Sequence, residues 1–288
     1  MELSIIIVSW RVKELLKQCL ESIFLQTQNL IFEVIVIDND SGDGTVEMVE
    51  ENFPQVKLIK SQINLGFARA CNLGIKKSTG KNVLLLNPDT KLIDNSLMIA
   101  NQIVEADESI GILGCKLLNY DMSIQQSVRN FPRLWDHLIM IFKLHHLFKF
   151  KKYLALNFNY KKTAEVDQVM GAFFLISKLA LQKVGCLDEK YYIWFEEVDY
   201  CQRIKRAGFK VIYSPEAQVI HYGGMSFKQA GNFKNQRLFS QSRLRYILKH
   251  QGIITYVIVL IFTPISLLLS LIAQIPPVAQ IKNTDIRR

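Results

Sequence analysis

Apolar and polar positions alternate in two rhythms along the first half of the chain. Short runs rich in β-branched residues predict strands, and stretches with apolar residues at helical spacing predict helices between them. The predicted strands are residues 4–9, 32–37, 56–60 and 82–86, and the predicted helices include residues 12–27, residues 45–52 and a stretch after residue 65. Strands that alternate with helices are typical of βαβ units. The sequence therefore predicts an α/β fold with a mostly parallel central sheet and flanking helices.

Polar residues directly follow three of these strands. They are Ser9, then Asp38 and Asp40, then Asn87 and Asp89 on either side of a proline. Because the carboxyl ends of parallel strands meet at one sheet edge, we expect a single polar crevice there, where open α/β sheets bind ligands. Asp38 could accept the imide N–H of uracil or thymine, and Asp89 could hold a metal ion on a phosphate. Each segment is also an ordinary turn sequence, and that interpretation stays open.

A loop entering the helix after residue 65 carries Arg69 and Asn72 in its first turns. A helix N-terminus beside an arginine is suited to an anion. The alternative is that Arg69 lies on a solvated helix face. The glycine-rich signatures of dinucleotide-binding and P-loop proteins are missing from the sequence, which removes the main support for those classes.

Three carboxylates lie within four residues at Glu196, Glu197 and Asp199, after Trp194 and close to Asp188. Burying three acids together is costly, so one of them should have a raised pKa and could act as a general base. On a helix, Glu196 and Asp199 would share a face. The alternative is an acidic helix start that complements the helix dipole. Further along, His221 follows an apolar strand and precedes two glycines; it could be structural or a metal ligand.

The C-terminal region is strongly apolar. Residues 251–281 contain no charged side chain, and residues 253–273 are long enough to cross a bilayer, which takes about 20 apolar residues. Pro264 could instead bend the segment into the membrane plane, and a buried core helix is a further alternative. We expect a catalytic domain at residues 1–250 and a transmembrane or membrane-associated segment at 251–288. Residues 129–162, rich in basic and large apolar side chains, could lie at the membrane interface or pack as an ordinary amphipathic helix.

Composition and charge indicate which kinds of binding partner to expect. The 288 residues carry a formal net charge of +9 and are 49% hydrophobic, which allows a sizeable core and suits an anionic membrane surface or a phosphorylated ligand. No nucleic-acid-binding motif is recognisable, so we expect no nucleic acid partner. The five widely spaced cysteines and the absence of a signal peptide pattern at the N-terminus indicate a reducing compartment. We expect a location on the cytoplasmic face of the cell membrane, single-pass or peripheral.

Taken in order, these segments resemble the inverting glycosyltransferases of family 2, which have the GT-A nucleotide-diphospho-sugar transferase fold, and especially the bacterial rhamnosyltransferase-like branch. The resemblance covers about residues 2–250. It is carried by residues 4–9, 36–45, 64–68, 86–89, 170–173 and 195–199 and by His221.

The resemblance implies a role for each candidate residue. The nucleotide-binding residues would be Val8, Ser9, Asp38, Asp40, Arg69, Asn72 and Asn87. A divalent Mg²⁺ or Mn²⁺ would be held by Asp89 and His221. Glu197 would be the catalytic base with Glu196 beside it, and Trp194, Asp188 and Asp199 would shape the sugar or acceptor site.

The implied reaction moves a sugar from a nucleotide-diphosphate donor, dTDP-rhamnose or a UDP-sugar, to a lipid-linked or cell-envelope glycan acceptor. Two residues depart from the family pattern. Asn87 replaces the first aspartate of the D-x-D motif, which places more of the metal binding on Asp89, and Ser9-Trp10 stands where asparagine or tyrosine is more usual. A catalytically inactive, membrane-docked scaffold that binds nucleotide-sugars is the alternative function.

Overall fold

A computed structural model describes residues 1–144, 152–223 and 232–273. Within these ranges the chain forms two compact units. The first contains residues 1–131 and 152–223, and the second contains residues 132–144 and 232–273. The second unit is larger than the C-terminal segment expected at 251–288, because a long helix before residue 250 and a short internal helix group with the apolar helix. Residues 145–151 and 274–288, parts of the two segments predicted to contact the membrane, lie outside the described residues.

The first unit is built on a large mixed sheet. Its main strands are β1 (Leu3–Ser9), β2 (Phe32–Asn39), β3 (Lys57–Ser61), β4 (Asn82–Leu86), β5 (Thr90–Leu92), β6 (Ile110–Leu118), β11 (Phe173–Ile176) and β12 (Lys210–His221). They are arranged in the order β3-β2-β1-β4-β11-β6-β12-β5. The pairings β1–β2, β1–β4, β2–β3 and β6–β12 are parallel, whereas β11 and β5 run antiparallel to their neighbours. The expected mostly parallel sheet is confirmed.

Four short strands complete the first unit. They are β7 (Ile124–Gln125), which pairs with β6, β8 (Val128–Arg129), β9 (Ala164–Glu165), which pairs with β12, and β10 (Gln168–Val169), which pairs with β8. The flanking helices are α1 (Lys13–Gln26), α2 (Thr45–Asn52), α3 (Phe67–Lys77), α4 (Ser96–Ala106), α6 (Lys178–Val184) and α7 (Glu196–Arg206).

Burial explains why the central strands read as continuous apolar runs. All seven residues of β1 and all five of β4 are buried, because helices cover both faces of a parallel sheet. Side chains on one face of β1 pack in a cluster with α1, and those on the other face pack with α3. Burying each such isoleucine stabilises the fold by about 1.5–3 kcal/mol. This rigid centre holds the ends of β1, β2 and β4 in fixed positions.

The described part of the second unit contains three helices. They are α5 (Leu134–Ile141), α8 (Asn232–His250) and α9 (Ile253–Ala273). Helix α9 confirms the expected apolar C-terminal helix, and its stretch Ile253–Leu271 is long and apolar enough to cross a membrane. His137 of α5 and Gln251, just before α9, contact each other through Nε2 and Oε1 at 3.2 Å.

Candidate functional site

The carboxyl ends of three parallel strands bring the predicted ligand-binding residues to one sheet edge. Ser9, the last residue of β1, is the register partner of Asp38 in β2. On the other side of β1, Ile7 pairs with the last residue of β4, after which the chain turns through Asn87 to Asp89. The predicted polar edge therefore forms as the βαβ pattern requires.

Asp89 and His221 face each other at this edge. His221, the last residue of β12, is the register partner of Thr90, and its Nε2 lies 3.3 Å from Asp89 Oδ1. Both side chains are more than nine-tenths buried, and Tyr222 N donates a hydrogen bond to the carbonyl of Asp89 at 2.9 Å. Strand pairing thus joins two residues that are far apart in the sequence.

Gln125 determines which nitrogen of His221 carries the proton. Its Nε2 donates to Asn119 Oδ1 and to the carbonyl of His221, so its Oε1 must face His221 Nδ1, at 2.6 Å. An acceptor at that distance requires a proton on Nδ1, so in a neutral imidazole ring the lone pair is on Nε2. His221 Nε2 has no hydrogen-bond partner among the described residues, although it faces a carboxylate oxygen.

A divalent cation fits between these two acceptors. Ligands at right angles around a metal at about 2.1 Å are roughly 3 Å apart, close to the observed separation. A second residue that fixes the proton on the remote imidazole nitrogen, as Gln125 does, is a common feature of histidine metal ligands. Across the described residues no group of three or more His, Cys, Asp or Glu side chains converges to bind a metal. The protein would therefore supply few ligands to such a metal ion, and phosphate oxygens and water would supply the others.

Unpaired buried acceptors mark the end of β2. Asp38 is 4% exposed, and its Oδ2 accepts a 3.4 Å hydrogen bond from Ser41 N. Its Oδ1 has no partner among the described residues, and neither has the hydroxyl of the fully buried Ser9. Buried acceptors without partners are costly, so these atoms are suited to a ligand that donates N–H or O–H groups. Val8 is buried beside them, whereas Asp40 is exposed and lies in the left-handed region at φ 65°.

Asn39, which the sequence did not single out, holds the loop before α3. Its side chain donates to Asn64 Oδ1 at 3.0 Å and accepts from Leu65 N at 2.8 Å. Gly66 has φ +80°, and a Cβ there would lie 2.4 Å from the carbonyl oxygen of Tyr192. Only glycine fits this close approach, which brings the loop before α3 against the segment before α7.

Two residues predicted to bind nucleotide have different surroundings. Asn72 is buried, and its amide donates to Leu187 O at 2.9 Å and accepts from Leu187 N at 3.1 Å. Both ends of this amide therefore hold the loop before α7, which favours a structural role. Arg69 is exposed and makes no ion pair with any described residue, so its guanidinium is available to an anion.

The acidic pair stands at the first turn of α7. Trp194 and Phe195 both adopt left-handed backbone conformations, with φ 63° and 68°, and the helix begins at Glu196. Such conformations are strained for large side chains and are concentrated at functional sites. Glu196 and Glu197 also line a narrow hollow with apolar walls that include Leu85 and Phe174.

Burial raises the pKa of both glutamates. For Glu196 the shift is large, because the charge of neighbouring Glu197 adds to the burial. Burial is likewise the main cause for Glu197, opposed by hydrogen bonds from backbone N–H groups and by the charge of Arg129. The Oε2 atom of each has no hydrogen-bond partner among the described residues. The sequence analysis predicted a raised pKa for one of the three acids, and burial raises the pKa of two, Glu196 and Glu197. One oxygen of each carboxylate stays open to a proton.

The remaining acids of this segment are engaged in the fold. Asp199 is fully buried, and Arg203 Nε donates to its Oδ2 at 2.8 Å. Arg203 also donates to the carbonyls of Val184 and Cys186, so the ion pair fastens α7 to the preceding loop. This geometry favours a structural role for Asp199 over the expected contact with substrate. Asp188 accepts from Lys190 N at 3.1 Å within a turn.

The family follows from the sequence comparison. The profile of "Glycosyl transferase family 2" matches residues 4–179, more than half of the chain. The chain belongs to glycosyl transferase family 2. The N-acetylglucosaminyl-diphospho-decaprenol L-rhamnosyltransferase of Mycobacterium tuberculosis (strain ATCC 25618 / H37Rv) is 26% identical to this family 2 transferase over 227 residues, covering 72% of this chain and 71% of the relative. Rhamnosyltransferase WbbL of Escherichia coli (strain K12) is 25% identical over 226 residues, with coverages of 76% and 82%. The rhamnosyltransferase-like resemblance is thereby confirmed.

Solved structures show that the family 2 transferase has the GT-A fold. The mannosyltransferase PcManGT from Pyrobaculum calidifontis, in complex with GDP-Man and Mn²⁺, aligns with a TM-score of 0.59 at 16% identity, covering 94% of this chain and 75% of that chain. GalNAc-T7 with UDP, GalNAc and Mn²⁺ aligns with a TM-score of 0.59 at 17% identity. The alignment covers 77% of this chain and 44% of GalNAc-T7. The fold expectation is confirmed.

Proposed function

We propose that this family 2 transferase is an inverting, metal-dependent enzyme. Its donor would be dTDP-rhamnose or a UDP-sugar, and its acceptor a lipid-linked or cell-envelope glycan. The observation that carries the proposal is the closeness of Glu197 to the turn that bears Asn87 and Asp89. Asn87 N donates to the carbonyl of Ala172 at 3.0 Å, and the next residue back, Gly171, lies so near Glu197 that a Cβ on it would be 3.8 Å from Glu197 Cβ.

The donor would lie along the sheet edge. Asp38 Oδ1 and the backbone around Ser9 would hold the nucleobase, and Arg69 would contact the diphosphate. Asp89 and His221 would hold Mg²⁺ or Mn²⁺ through an oxygen and a nitrogen. When bound, the metal would neutralise the negative charge of the departing diphosphate. The Mn²⁺ in the PcManGT and GalNAc-T7 structures supports this use of a divalent cation.

Glu197 would perform the proton transfer. In its ionised form it accepts the proton of the acceptor hydroxyl while that oxygen forms a bond to the anomeric carbon. The bond from the anomeric carbon to the diphosphate oxygen breaks in the same displacement, and the stereocentre inverts. A carboxylate with a raised pKa is a stronger base than a solvated one, which favours the transfer. Glu196 beside it disfavours a second negative charge and so contributes to that shift.

The relatives support the substrate class and the location. The mycobacterial relative is named for a sugar linked through a diphosphate to decaprenol, a lipid. We infer a lipid-linked acceptor here too, reached from the cytoplasmic face of the cell membrane. Helix α9 supports a single-pass or peripheral attachment because of its length and apolar composition.

Donor binding and transfer by Glu197→Gln test the proposal. In purified full-length protein with Mn²⁺, UDP- and dTDP-sugars are screened by thermal shift, since a ligand that binds the folded state stabilises it. The variant should keep the donor-induced shift and lose transfer to a lipid-linked glycan. The exposed Glu47→Gln is the matched control and should keep both. Full transfer by Glu197→Gln would remove Glu197 as the base, and donor binding without turnover in the wild type would support the scaffold alternative.

A further inference from the structure

Helix α9 has the reverse of the usual amphipathic pattern. The residues that it buries are mostly small and polar: Val259, Thr263, Ser266 and Ser270. The residues that it exposes are large and apolar: Ile253, Ile254, Val257, Leu260, Ile261, Leu268 and Leu271. A water-exposed helix normally turns its large apolar side chains inward. Small polar residues at the contact and large apolar ones outside are typical of helices whose outer face meets lipid.

The charge of the second unit fits an anionic surface. Its described residues carry seven basic side chains: Arg133, Lys143, Lys234, Arg237, Arg243, Arg245 and Lys249. They carry one acidic side chain, Asp136. Lys234, Arg237 and Lys249 are exposed on α8. Basic residues beside an exposed apolar helix favour the phosphate layer of a membrane with anionic lipids.

Contacts of α8 indicate how α9 is oriented in such a membrane. Arg243 is fully buried, and its Nη2 donates to Thr263 Oγ1 at 3.4 Å. Thr263 is at the middle of the 21-residue α9. Gln236 Nε2 donates to Ser266 Oγ at 2.9 Å, so the N-terminal part of α8 lies along the C-terminal half of α9.

Lys143 also contacts α9, through a 3.4 Å hydrogen bond from its Nζ to the carbonyl of Leu269. If α9 crossed the bilayer, it would carry the guanidinium of Arg243 to the centre of the hydrocarbon layer, together with several other polar groups of α8. Charged side chains are costly at that depth. Burial lowers the pKa of Arg243 to about 10, so it remains charged at neutral pH.

We propose that the second unit docks on an anionic membrane with α9 lying in the plane of the interface, its exposed apolar side among the acyl chains, and that α9 does not cross the bilayer. This rests on the proposed function and deepens it, because attachment through the second unit would keep the transferase at the membrane that holds its lipid-linked acceptor. In this orientation, α8 and the basic residues of the second unit lie at the depth of the lipid phosphates and water.

Depth measurements on α9 test the orientation. Single cysteines carrying a fluorescent label are introduced at Ile254, Ile261 and Leu268, which are exposed and spaced by seven residues on one side of the helix, in a Cys186→Ser background. Quenchers are placed at the headgroup or deep in the acyl chains of vesicles containing phosphatidylglycerol. We expect the same shallow depth for all three positions. A crossing helix rises about 1.5 Å per residue, so it would place the label at Ile261 roughly 10 Å deeper than that at Ile254 and overturn the proposal.

Vesicle binding tests the charge contribution in the otherwise unmodified chain. The double variant Lys234→Gln/Arg237→Gln removes two exposed charges of the second unit, and Lys77→Gln/Lys178→Gln removes two exposed charges of the first. Each basic residue near an anionic surface contributes roughly a factor of five to binding, so the first pair should weaken it about 25-fold and the second pair little. Equal effects of the two pairs, or equal wild-type binding to pure phosphatidylcholine vesicles, would overturn the proposal.

The same preparations separate this proposal from the proposed function. Thermal shifts with UDP- and dTDP-sugars report on donor binding and need no membrane. If the labelled variants show one shallow depth and the wild type binds vesicles but responds to no donor, the proposed function alone would be contradicted. A wild type that responds to a donor but binds no vesicle would contradict the docking alone.

Discussion

Replacing Gln125 with leucine should weaken metal binding without touching either proposed ligand. The side chain accepts from His221 Nδ1 at 2.6 Å and donates to two further oxygens, which fixes its orientation. Leucine has a similar volume but no acceptor, so the His221 ring loses the contact that keeps its proton on Nδ1. The Nε2 lone pair that faces Asp89 is then no longer maintained in place.

The magnitude follows from the type of contact. Removing a residue that hydrogen-bonds to a metal-ligating histidine typically lowers metal affinity 10- to 100-fold. That range corresponds to about 1.4–2.7 kcal/mol of binding free energy. We expect the effect near its upper end, because the bond is short and His221 is only 6% exposed, which limits replacement by water.

Electron paramagnetic resonance of free Mn²⁺, titrated with protein in the presence of UDP, measures the affinity independently of turnover. Gln102→Leu is the matched control, since Gln102 is exposed on α4 and should leave Mn²⁺ binding unchanged. If Gln125→Leu bound Mn²⁺ as tightly as the wild type while melting at the same temperature, the role of Gln125 would be refuted.

Three further predictions concern the scaffold of the site. Burial alone would raise the pKa of Glu33, but hydrogen bonds from Lys57 and neighbouring groups lower it from 4.5 to about 2. Ionised Glu33 should therefore stabilise the fold above pH 4.5 and lose that contribution as the pH falls towards 2. In acid titrations, the free energy of unfolding of the wild type should fall by about 1–2 kcal/mol more than that of Glu33→Gln. Gly66→Ala should cost about 2 kcal/mol or more in urea unfolding, because its Cβ would meet Tyr192, whereas Gly208→Ala, also at positive φ but with open space around it, should cost less. Arg203→Met should destabilise the protein by about 3–5 kcal/mol, measured in the same way, because it leaves the fully buried Asp199 without its cation; a loss below 1 kcal/mol would show that the ion pair does not fasten α7.

Sequence reasoning worked best where local pattern determines structure. The continuous apolar run of β4, bounded by Asn87 and Asp89, predicted both a buried strand and its polar end, because parallel sheets bury both faces. The three acids at the start of α7 predicted a raised pKa for one of them, and burial raises the pKa of two, Glu196 and Glu197.

Contacts between distant segments could not be predicted in this way. Asn72 lies near the start of a helix and was therefore expected to contact the nucleotide. Its side-chain amide instead forms hydrogen bonds with the backbone of Leu187, more than a hundred residues later. Gln125 lies in a strand of two residues, too short for any periodic signal, and its contact with His221 depends on strand pairing. Asn39 follows the apolar run of β2 and gave no signal beyond a turn. These roles depend on which distant segments become neighbours, which the local pattern does not encode.

The local sequence pattern also did not indicate which helices belong to the second unit. Helix α8 is polar and basic, so the sequence grouped it with the catalytic domain and drew the boundary at residue 250. The structure groups it with α5 and α9 instead, because its buried polar residues meet the serines and threonine of α9.

The stereochemistry and metal dependence of transfer test the central claim most directly. With a donor of known anomeric configuration, Mn²⁺ and a lipid-linked acceptor, nuclear magnetic resonance of the product reports the configuration of the new glycosidic bond. A single displacement assisted by Glu197 and by a metal on Asp89 and His221 predicts an inverted product, lost when the metal is chelated and in Asp89→Ala. A product with retained configuration, or undiminished transfer by Asp89→Ala after chelation, would contradict the account.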